Sequence, residues 1–343
     1  MRYRLPFLLF PLLLLAQAAW PQAPDMTLLH RHTFTHAQMG TLFRIAIYSP
    51  DSAQARSAAS AAFARVDELN QIMSDYLPES EINRLSATAG TGQALPVSPD
   101  LWHVLELSVQ ASRLSQGAFD VTVGPFVSLW RRSRRQLQLP SAEVLAKARQ
   151  AVGFHHLRLN PKNRTVELLV PGMRLDLGAI GKGYAVDEAL KVLQQQGISA
   201  ALVDGGGNVV VSQPPPGRKS WQVAVGLAGQ QTTETARYLS LRCAGIASSG
   251  DLYQYVELEG KRYSHIVHPQ TGLGLTHQRE VTILAPNGTT ADWLSTALSV
   301  LESEEGWKLL RRVKRAEASI SWMEDGQVKR WESKGFRKRV KKE

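Results

Sequence analysis

The chain has 343 residues, of which 43% are hydrophobic and 20% are charged, a balance typical of a globular protein with a sizeable core. Its single cysteine, Cys243, excludes an internal disulfide and a cysteine-based zinc site. We expect Cys243 to be a buried, unreactive thiol. A formal net charge of +10 would suit a nucleic-acid partner, but the export signal described next argues against one.

The N-terminus has the pattern of a secretory signal peptide. Arg2 and Arg4 precede an apolar run over residues 5–15, and Ala16-Gln17-Ala18 offers the small residues that a signal peptidase cleaves after. The run is too short to span a bilayer comfortably, although an uncleaved N-terminal anchor is an alternative. We therefore predict a signal peptide at residues 1–18 and a periplasmic or other extracytoplasmic location.

Hydrophobic spacing and turn residues predict elements that mix strands with helices. In chain order they are two strands within residues 32–48, helices at 51–75, 79–85, 98–117 and 141–153, a hairpin at 157–170, a helix at 184–196, strands at 200–203, 209–212, 221–225, 237–242, 253–258, 263–267 and 280–284, helices at 290–301 and 304–313, and a hairpin closed by Asp325-Gly326. Because strands and helices do not alternate regularly, we predict an α+β fold with largely antiparallel sheets and packed helices.

The domain limits follow from the same pass along the chain. We predict a mature leader at residues 19–30, one catalytic domain at residues 31–330 and a solvated basic tail at residues 331–343. The alternative for the tail is attraction to anionic lipid, which would place the protein peripherally at the inner membrane, or to an acidic partner.

Asp292 and Thr296 are four residues apart on a predicted helix, so they share one face. A carboxylate and a hydroxyl on one face suit a hard cation such as Mg²⁺, which takes its remaining oxygens from water or a substrate phosphate. A structural helix cap is the alternative for an aspartate near a helix start. The pair alone therefore leaves both interpretations open.

Residues 175–184 join a strand end to a helix start through three glycines. Backbone N–H groups and the helix dipole would face an anion there, and Lys182 would add positive charge. The glycine spacing fits neither a P-loop nor the dinucleotide fingerprint. A tight structural turn is the alternative.

Two further clusters carry polar groups in turns. Residues 117–125 place Asp120 beside small residues, which permit close approach of a flat ring to the backbone, or simply end a helix. His265 and His268 lie on a predicted strand, where residues three apart point to opposite faces, so we expect no shared metal ion.

Taken together and in order, these clusters resemble the ApbE-type FAD:protein FMN transferase family. The resemblance covers roughly residues 30–320. The matching segments are residues 39–41, 73–76 with 80–82, 117–125 with 129–130, 176–187, 205–208, 249–251, 265–272 and 291–296. Any one segment is weak, but eight in the right order are highly specific.

The resemblance implies an exported α+β flavin-binding fold with FAD as donor substrate and Mg²⁺ as cofactor. The family's metal ligands fall on Asp292, Thr296 and the carbonyl of Ala179. Its FAD contacts fall on Met39, Tyr76, Ala118, Phe119, Asp120, Asp176, Lys182, His265 and Ile266. His265 corresponds to a family histidine near the flavin pyrophosphate.

The resemblance also implies the reaction. A serine or threonine hydroxyl of an acceptor flavoprotein, such as a subunit of an exported or membrane redox complex, would attack the FMN-side phosphorus, and AMP would leave. Lys182 and the glycine-rich bend would share the stabilisation of charge with Mg²⁺. Asp176 and His265 are both candidates for the base, and the sequence does not choose between them.

The chain departs from the family at one clear position. His268 stands where the family usually has the aspartate of Asp-Pro-x-Thr-Gly, a carboxylate expected to hold the turn or shape the site. Two alternatives to the transferase follow: a hydrolase of the same fold that yields FMN and AMP, and a non-catalytic flavin-binding protein.

Overall fold

The computed structural model describes residues 29–225, 237–250 and 255–341. The predicted signal peptide, leader residues 19–28, Asp251 of the matched segment 249–251 and residues 342–343 lie outside these ranges. Within them, the helices are α1 (Ser52–Met73), α2 (Glu81–Ser86), α3 (Pro99–Leu114), α4 (Gly124–Gln136), α5 (Ala142–Arg149), α6 (Gly181–Gln195), α7 (Gly288–Val300), α8 (Ser303–Arg312) and α9 (Lys334–Arg339).

The strands of the described residues are β1 (His30–Gln38), β2 (Thr41–Ser49), β3 (Leu95–Pro96), β4 (Leu157–Asn160), β5 (Thr165–Leu168), β6 (Ala201–Gly205), β7 (Asn208–Val211), β8 (Trp221–Val225), β9 (Arg237–Leu241), β10 (Ala244–Gly250), β11 (Tyr255–Leu258), β12 (Lys261–Ser264), β13 (Arg279–Ala285), β14 (Glu317–Glu324) and β15 (Gln327–Glu332). Eight of them form one sheet in the order β1-β2-β6-β7-β10-β13-β14-β15. Every neighbouring pair in this sheet is antiparallel, which confirms the predicted α+β class.

The two faces of the large sheet bury different partners. Helices α1, α6 and α7 cover one face and form the main core, in which Val210, Ala247 and Leu294 are buried. The β8–β9 hairpin covers the other face, where Val209, Ile246 and Leu239 are buried together. This arrangement follows from strand alternation, since successive residues of β7 and β10 point to opposite faces.

Several predicted elements differ from the structure at the edges of the site. Helix α6 begins at Gly181, three residues before the predicted start, and α4 occupies residues to which we assign no helix. In α4, Phe126 and Trp130 are four residues apart and both are buried, which is the helical spacing that the surrounding arginines obscure. The segment after Ser264 leaves the sheet, so the predicted strand at 263–267 is wrong beyond that residue.

Cys243 is exposed, so the expectation of a buried thiol is wrong. Its φ of 44° places it in the turn between β9 and β10, and the side chain of a turn residue at this position faces solvent rather than the core. The hydrophobic residues on either side suggested a strand interior, but the turn falls on the cysteine itself.

The predicted tail also differs from the structure. Strand β15 continues to Glu332, and α9 follows at once with Phe336 fully buried. Its ring joins the core beneath the β8–β9 hairpin, while Arg337, Lys338 and Arg339 stay exposed. The folded domain therefore extends beyond residue 330, and one apolar residue among many basic ones is enough to anchor the segment. In the ranges described, no helix has both the length and the hydrophobicity needed to cross a bilayer.

We predict that Phe336→Ala lowers the free energy of unfolding by about 3–5 kcal/mol, because it empties a closed site in the core. Lys338→Ala, on the exposed side of the same helix, should change it by less than about 0.5 kcal/mol. Urea denaturation of both variants gives the comparison. Equal and small changes in the free energy of unfolding for both variants would instead support the predicted solvated tail.

Candidate active site

Helices α6 and α7 are joined by hydrogen bonds at their N-terminal ends. In each helix, an aspartate accepts from backbone N–H groups at the start of the other helix. Asp292 of α7 accepts from the Gly183 N–H through Oδ2 at 2.8 Å. Asp187 of α6 accepts from the N–H groups of Gly288 and Thr289, each at 2.7 Å. These N–H groups have no partner inside their own helices, so each aspartate caps the other helix. The sequence shows neither bond, because the partners are about a hundred residues apart.

Glycines permit this close contact. A Cβ on Gly183 would lie 2.4 Å from the carbonyl oxygen of Gly288 and 2.7 Å from the Cβ of Asp292, distances that no side chain tolerates. Gly183 is therefore required for Asp292 to reach the glycine-rich bend. The packing places the carboxylate of α7 directly against the start of α6.

The bend itself uses its polar groups internally. Asp176 accepts from the Gly178 N–H at 2.8 Å through Oδ1, and Lys182 Nζ donates to the Gly178 carbonyl oxygen at 3.0 Å. Two N–H groups that the sequence offers to a phosphate, those of Gly178 and Gly183, are thus taken by carboxylates. These two N–H groups are therefore not available to an anion at the bend, whereas Lys182 adds positive charge beside it.

One cavity of about 560 Å³ lies beside the bend. All of the site residues named from the sequence except Met39 line it. They are Tyr76, Ala118, Phe119, Asp120, Asp176, Ala179, Lys182, His265, Ile266, Asp292 and Thr296. The structure therefore brings together groups from most of the length of the domain.

Met39 lies outside the cavity lining. It occupies the turn between β1 and β2 with a φ of 51° and packs against the main core. Gly206, which lines the cavity, packs against this hairpin: a Cβ on Gly206 would lie 2.4 Å from the Oγ1 of Thr41. The hairpin tip therefore borders the cavity without contributing Met39 to it.

Arg131 of α4 links two carboxylates at the cavity. Its guanidinium donates to Asp75 and, at 3.3 Å, to Asp176, and it lies 4.1 Å from the ring centroid of Tyr76. Burial opposes its charge, but the hydrogen bond to Asp75 and the two nearby carboxylates hold its pKa above the ordinary value. The sequence gives no local signal for this role, because Asp75 and Asp176 lie far from Arg131 along the chain.

The buried carboxylates at the cavity have raised pKa values. For Asp176, burial and then the charge of Asp75 raise the pKa, opposed by the Gly178 N–H, Arg131 and Lys182. For Asp292, burial raises the pKa, opposed by Lys182 and the Gly183 N–H. A raised pKa makes Asp176 a stronger proton acceptor near neutral pH. For Asp292, it measures the cost of a buried negative charge that a bound cation would offset.

Asp120 has a mainly structural set of contacts. Its Oδ1 accepts from the N–H and hydroxyl of Thr122, and its Oδ2 accepts from the Phe154 N–H. Burial raises the pKa of Asp120 despite these bonds. The carboxylate therefore fixes the turn that presents Ala118 and Phe119 to the cavity.

The donor set around Asp292 fits a hard divalent cation. Asp292 is buried, and Thr296 lies one turn further along the same face of α7, where Ser249 Oγ lies 3.3 Å from its Oγ1. Ala179 lines the same cavity. Carboxylate, hydroxyl and carbonyl oxygens are ligands that Mg²⁺ prefers. Among the described residues, no group of three or more His, Cys, Asp and Glu side chains is placed to hold a metal ion, so any ion here would depend on hydroxyl, carbonyl, water or substrate oxygens beside Asp292.

His268 replaces the missing carboxylate of its turn. Its Nδ1 accepts from the Gln270 N–H at 3.1 Å, and its backbone bonds to Leu273 and Gly272 close the loop. This contact requires a neutral ring with the proton on Nε2. Burial, followed by the charge of His277, lowers the pKa of His268 and keeps the ring neutral. The departure from the family pattern therefore preserves the turn.

Comparisons with known proteins identify the family of the chain. The sequence model of the ApbE family matches residues 39–320. The chain is 32% identical over 298 residues to a protein of Klebsiella pneumoniae named FAD:protein FMN transferase, covering 83% of this chain and 85% of that one. A protein of Escherichia coli K12 with the same name is 30% identical over 326 residues, covering 94% and 91%.

Solved structures give the same result. The flavinyl transferase ApbE of Pseudomonas stutzeri in its apo form superposes with a TM-score of 0.80 at 28% identity, covering 91% of this chain and 97% of that one. The flavin transferase ApbE of Vibrio cholerae gives 0.79 at 27% identity, covering 90% and 99%. The fold is thus that of the flavin transferases. The chain belongs to the ApbE family.

We predict that His268→Asp changes the pH dependence of stability. The pKa of His268 in the folded protein lies below the ordinary 6.5. The contribution of His268 to the free energy of unfolding is therefore complete above pH 6.5 and is lost as the pH falls towards the folded-state pKa. An aspartate stays charged through this window. As the pH falls from 7 to 5, the Tm of the wild type should therefore drop relative to the Tm of the variant, so that the difference, wild type minus variant, becomes more negative. A difference independent of pH would contradict the assigned contact.

Proposed function

We propose that this chain transfers the FMN half of FAD, with Mg²⁺ bound, to a serine or threonine hydroxyl of an acceptor flavoprotein, with release of AMP. Its place in the ApbE family makes it a transferase enzyme. The observation that carries the proposal is the convergence of Asp292, Thr296, Ala179, Lys182 and Asp176 on one cavity.

The residues of the chain divide the work of the reaction. When bound, Mg²⁺ would supply a Lewis acid that neutralises charge on the pyrophosphate, held by Asp292, Thr296 and the Ala179 carbonyl. Lys182 adds positive charge at the same place. Ala118, Phe119 and Ile266 offer the apolar wall for the flavin ring, and positioning of this kind supplies much of the rate of phosphoryl transfer.

Asp176 and His265 remain the two candidates for the base. Asp176 has the raised pKa that suits a proton acceptor, but one of its oxygens accepts from Gly178 and the other faces Arg131. His265 lines the cavity in the segment that follows β12. Both can reach a hydroxyl in the cavity, so both variants must be assayed.

We also propose that the protein is exported and works outside the cytoplasm. Support comes from the basic, apolar and small-residue order of residues 1–18. The acceptor would then be an extracytoplasmic redox subunit. The exposed basic residues of α9 offer a surface for anionic lipid or an acidic partner.

The direct test incubates the mature protein with FAD, Mg²⁺ and a serine- or threonine-bearing acceptor domain. Flavin fluorescence on the acceptor in a denaturing gel, with the mass of FMN added, is the expected result. AMP and FMN released without labelling would favour the hydrolase. A protein that binds FAD and releases nothing would favour the non-catalytic flavin-binding protein.

We predict that Asp292→Asn lowers the transfer rate by about 100-fold or more, because it removes a charged metal ligand. Asparagine keeps an acceptor for the Gly183 N–H and removes a buried charge, so the Tm without metal should stay the same or rise. The Mg²⁺-dependent rise in Tm should disappear. Glu304→Gln, on the exposed start of α8, is the matched control. If Mg²⁺ raised the Tm of Asp292→Asn as much as that of the wild type, Asp292 would not be a metal ligand.

A further inference from the structure

Asn208 is a buried side chain with an unused hydrogen-bond acceptor. It begins β7, directly after Gly206 and Gly207, and is 5% exposed. It lines the cavity, yet its Oδ1 is buried and has no hydrogen-bond partner among the residues that the structure describes. Leaving a buried acceptor unpaired destabilises a fold, so the amide oxygen of Asn208 needs a partner that the described residues do not supply.

The register of the sheet places Asn208 near the proposed pyrophosphate site. Val210, two residues further along β7, is buried in the core beneath α7, and residues two apart share a face. Ser249 of β10 lies on this face, because its Oγ is 2.7 Å from that of Ser295 in α7. Asn208 therefore faces the same side of the sheet as Asp292 and Thr296.

This position limits which groups of FAD could lie within hydrogen-bond distance of the Asn208 amide. On either side of the pyrophosphate, FAD carries a chain with hydroxyl groups: the ribityl chain of the FMN half and the ribose of the AMP half. The last torsion of an asparagine is broad and roughly two-fold, so rotation about it can turn the acceptor towards the cavity that Asn208 lines. A hydroxyl there would satisfy the atom that the unliganded fold leaves unpaired.

We propose that Asn208 is a binding residue for the donor dinucleotide and accepts a hydrogen bond from a sugar-type hydroxyl next to the pyrophosphate. The inference rests on the proposed function, since it takes FAD as the ligand. The inference gives the Gly206-Gly207-Asn208 turn a chemical role. The two glycines let the chain reverse, and the asparagine after them binds the dinucleotide.

The experiment compares Asn208→Ala with wild type by FAD titration and by Tm. Affinity for FAD should fall about threefold to tenfold. The Tm without ligand should be unchanged or higher, because an unpaired polar group is removed. A purely structural asparagine would instead give a lower Tm with full affinity. Asn70→Ala, at a second buried asparagine that lies in α1 outside the cavity lining, should leave FAD affinity unchanged.

Two probes without phosphate identify the hydroxyl. Weaker binding of riboflavin to Asn208→Ala assigns the ribityl chain, and weaker binding of adenosine assigns the ribose. Loss of FAD affinity with both probes unaffected would mean a phosphate contact and would overturn the proposal, as would full FAD affinity. Wild type is titrated in parallel: if it fails to bind FAD, the proposed function fails, whereas binding by both proteins removes only the role of Asn208.

Discussion

The contact between α6 and α7 is the constraint on which the site depends. Each helix supplies an aspartate that accepts from backbone N–H groups at the start of the other helix. The bonds are short and buried, where an unpaired N–H group would be costly. The contact exists only because Gly183 and Gly288 have no side chains to separate the helices. One helix pair therefore fixes both the bend and the Asp292 carboxylate.

Asp187 and Asp292 occupy mirrored positions but do different work. Asp187 has both oxygens engaged, by Gly288 and by the N–H and hydroxyl of Thr289, so it positions α7 and has little capacity left. Asp292 uses Oδ2 for Gly183 and lines the cavity. The same backbone capping thus anchors α7 through one aspartate and presents the other to a ligand.

The order of strands and helices along the chain predicted the α+β class, whereas the cavity residues came from the resemblance to the ApbE family, and all of them except Met39 line the cavity. Glycine punctuation marks the bend, and helical spacing joins Asp292 to Thr296. The sequence did not predict the link from Arg131 to Asp75 and Asp176, which joins residues more than forty positions apart. It also missed α4, because arginines dominate its composition while two aromatic residues decide its burial. Tertiary contacts, not local propensity, determine both features.

The cavity collects groups that the unliganded fold satisfies poorly. Burial raises the pKa values of Asp176 and Asp292, and Asn208 has an unpaired acceptor. Burying each of these polar groups costs stability that the contacts of the described residues do not fully offset. Their cost falls when a cation meets the carboxylate and a hydroxyl meets the amide. In the proposed function, binding of the metal ion and of FAD would recover the stability that these polar groups cost the fold.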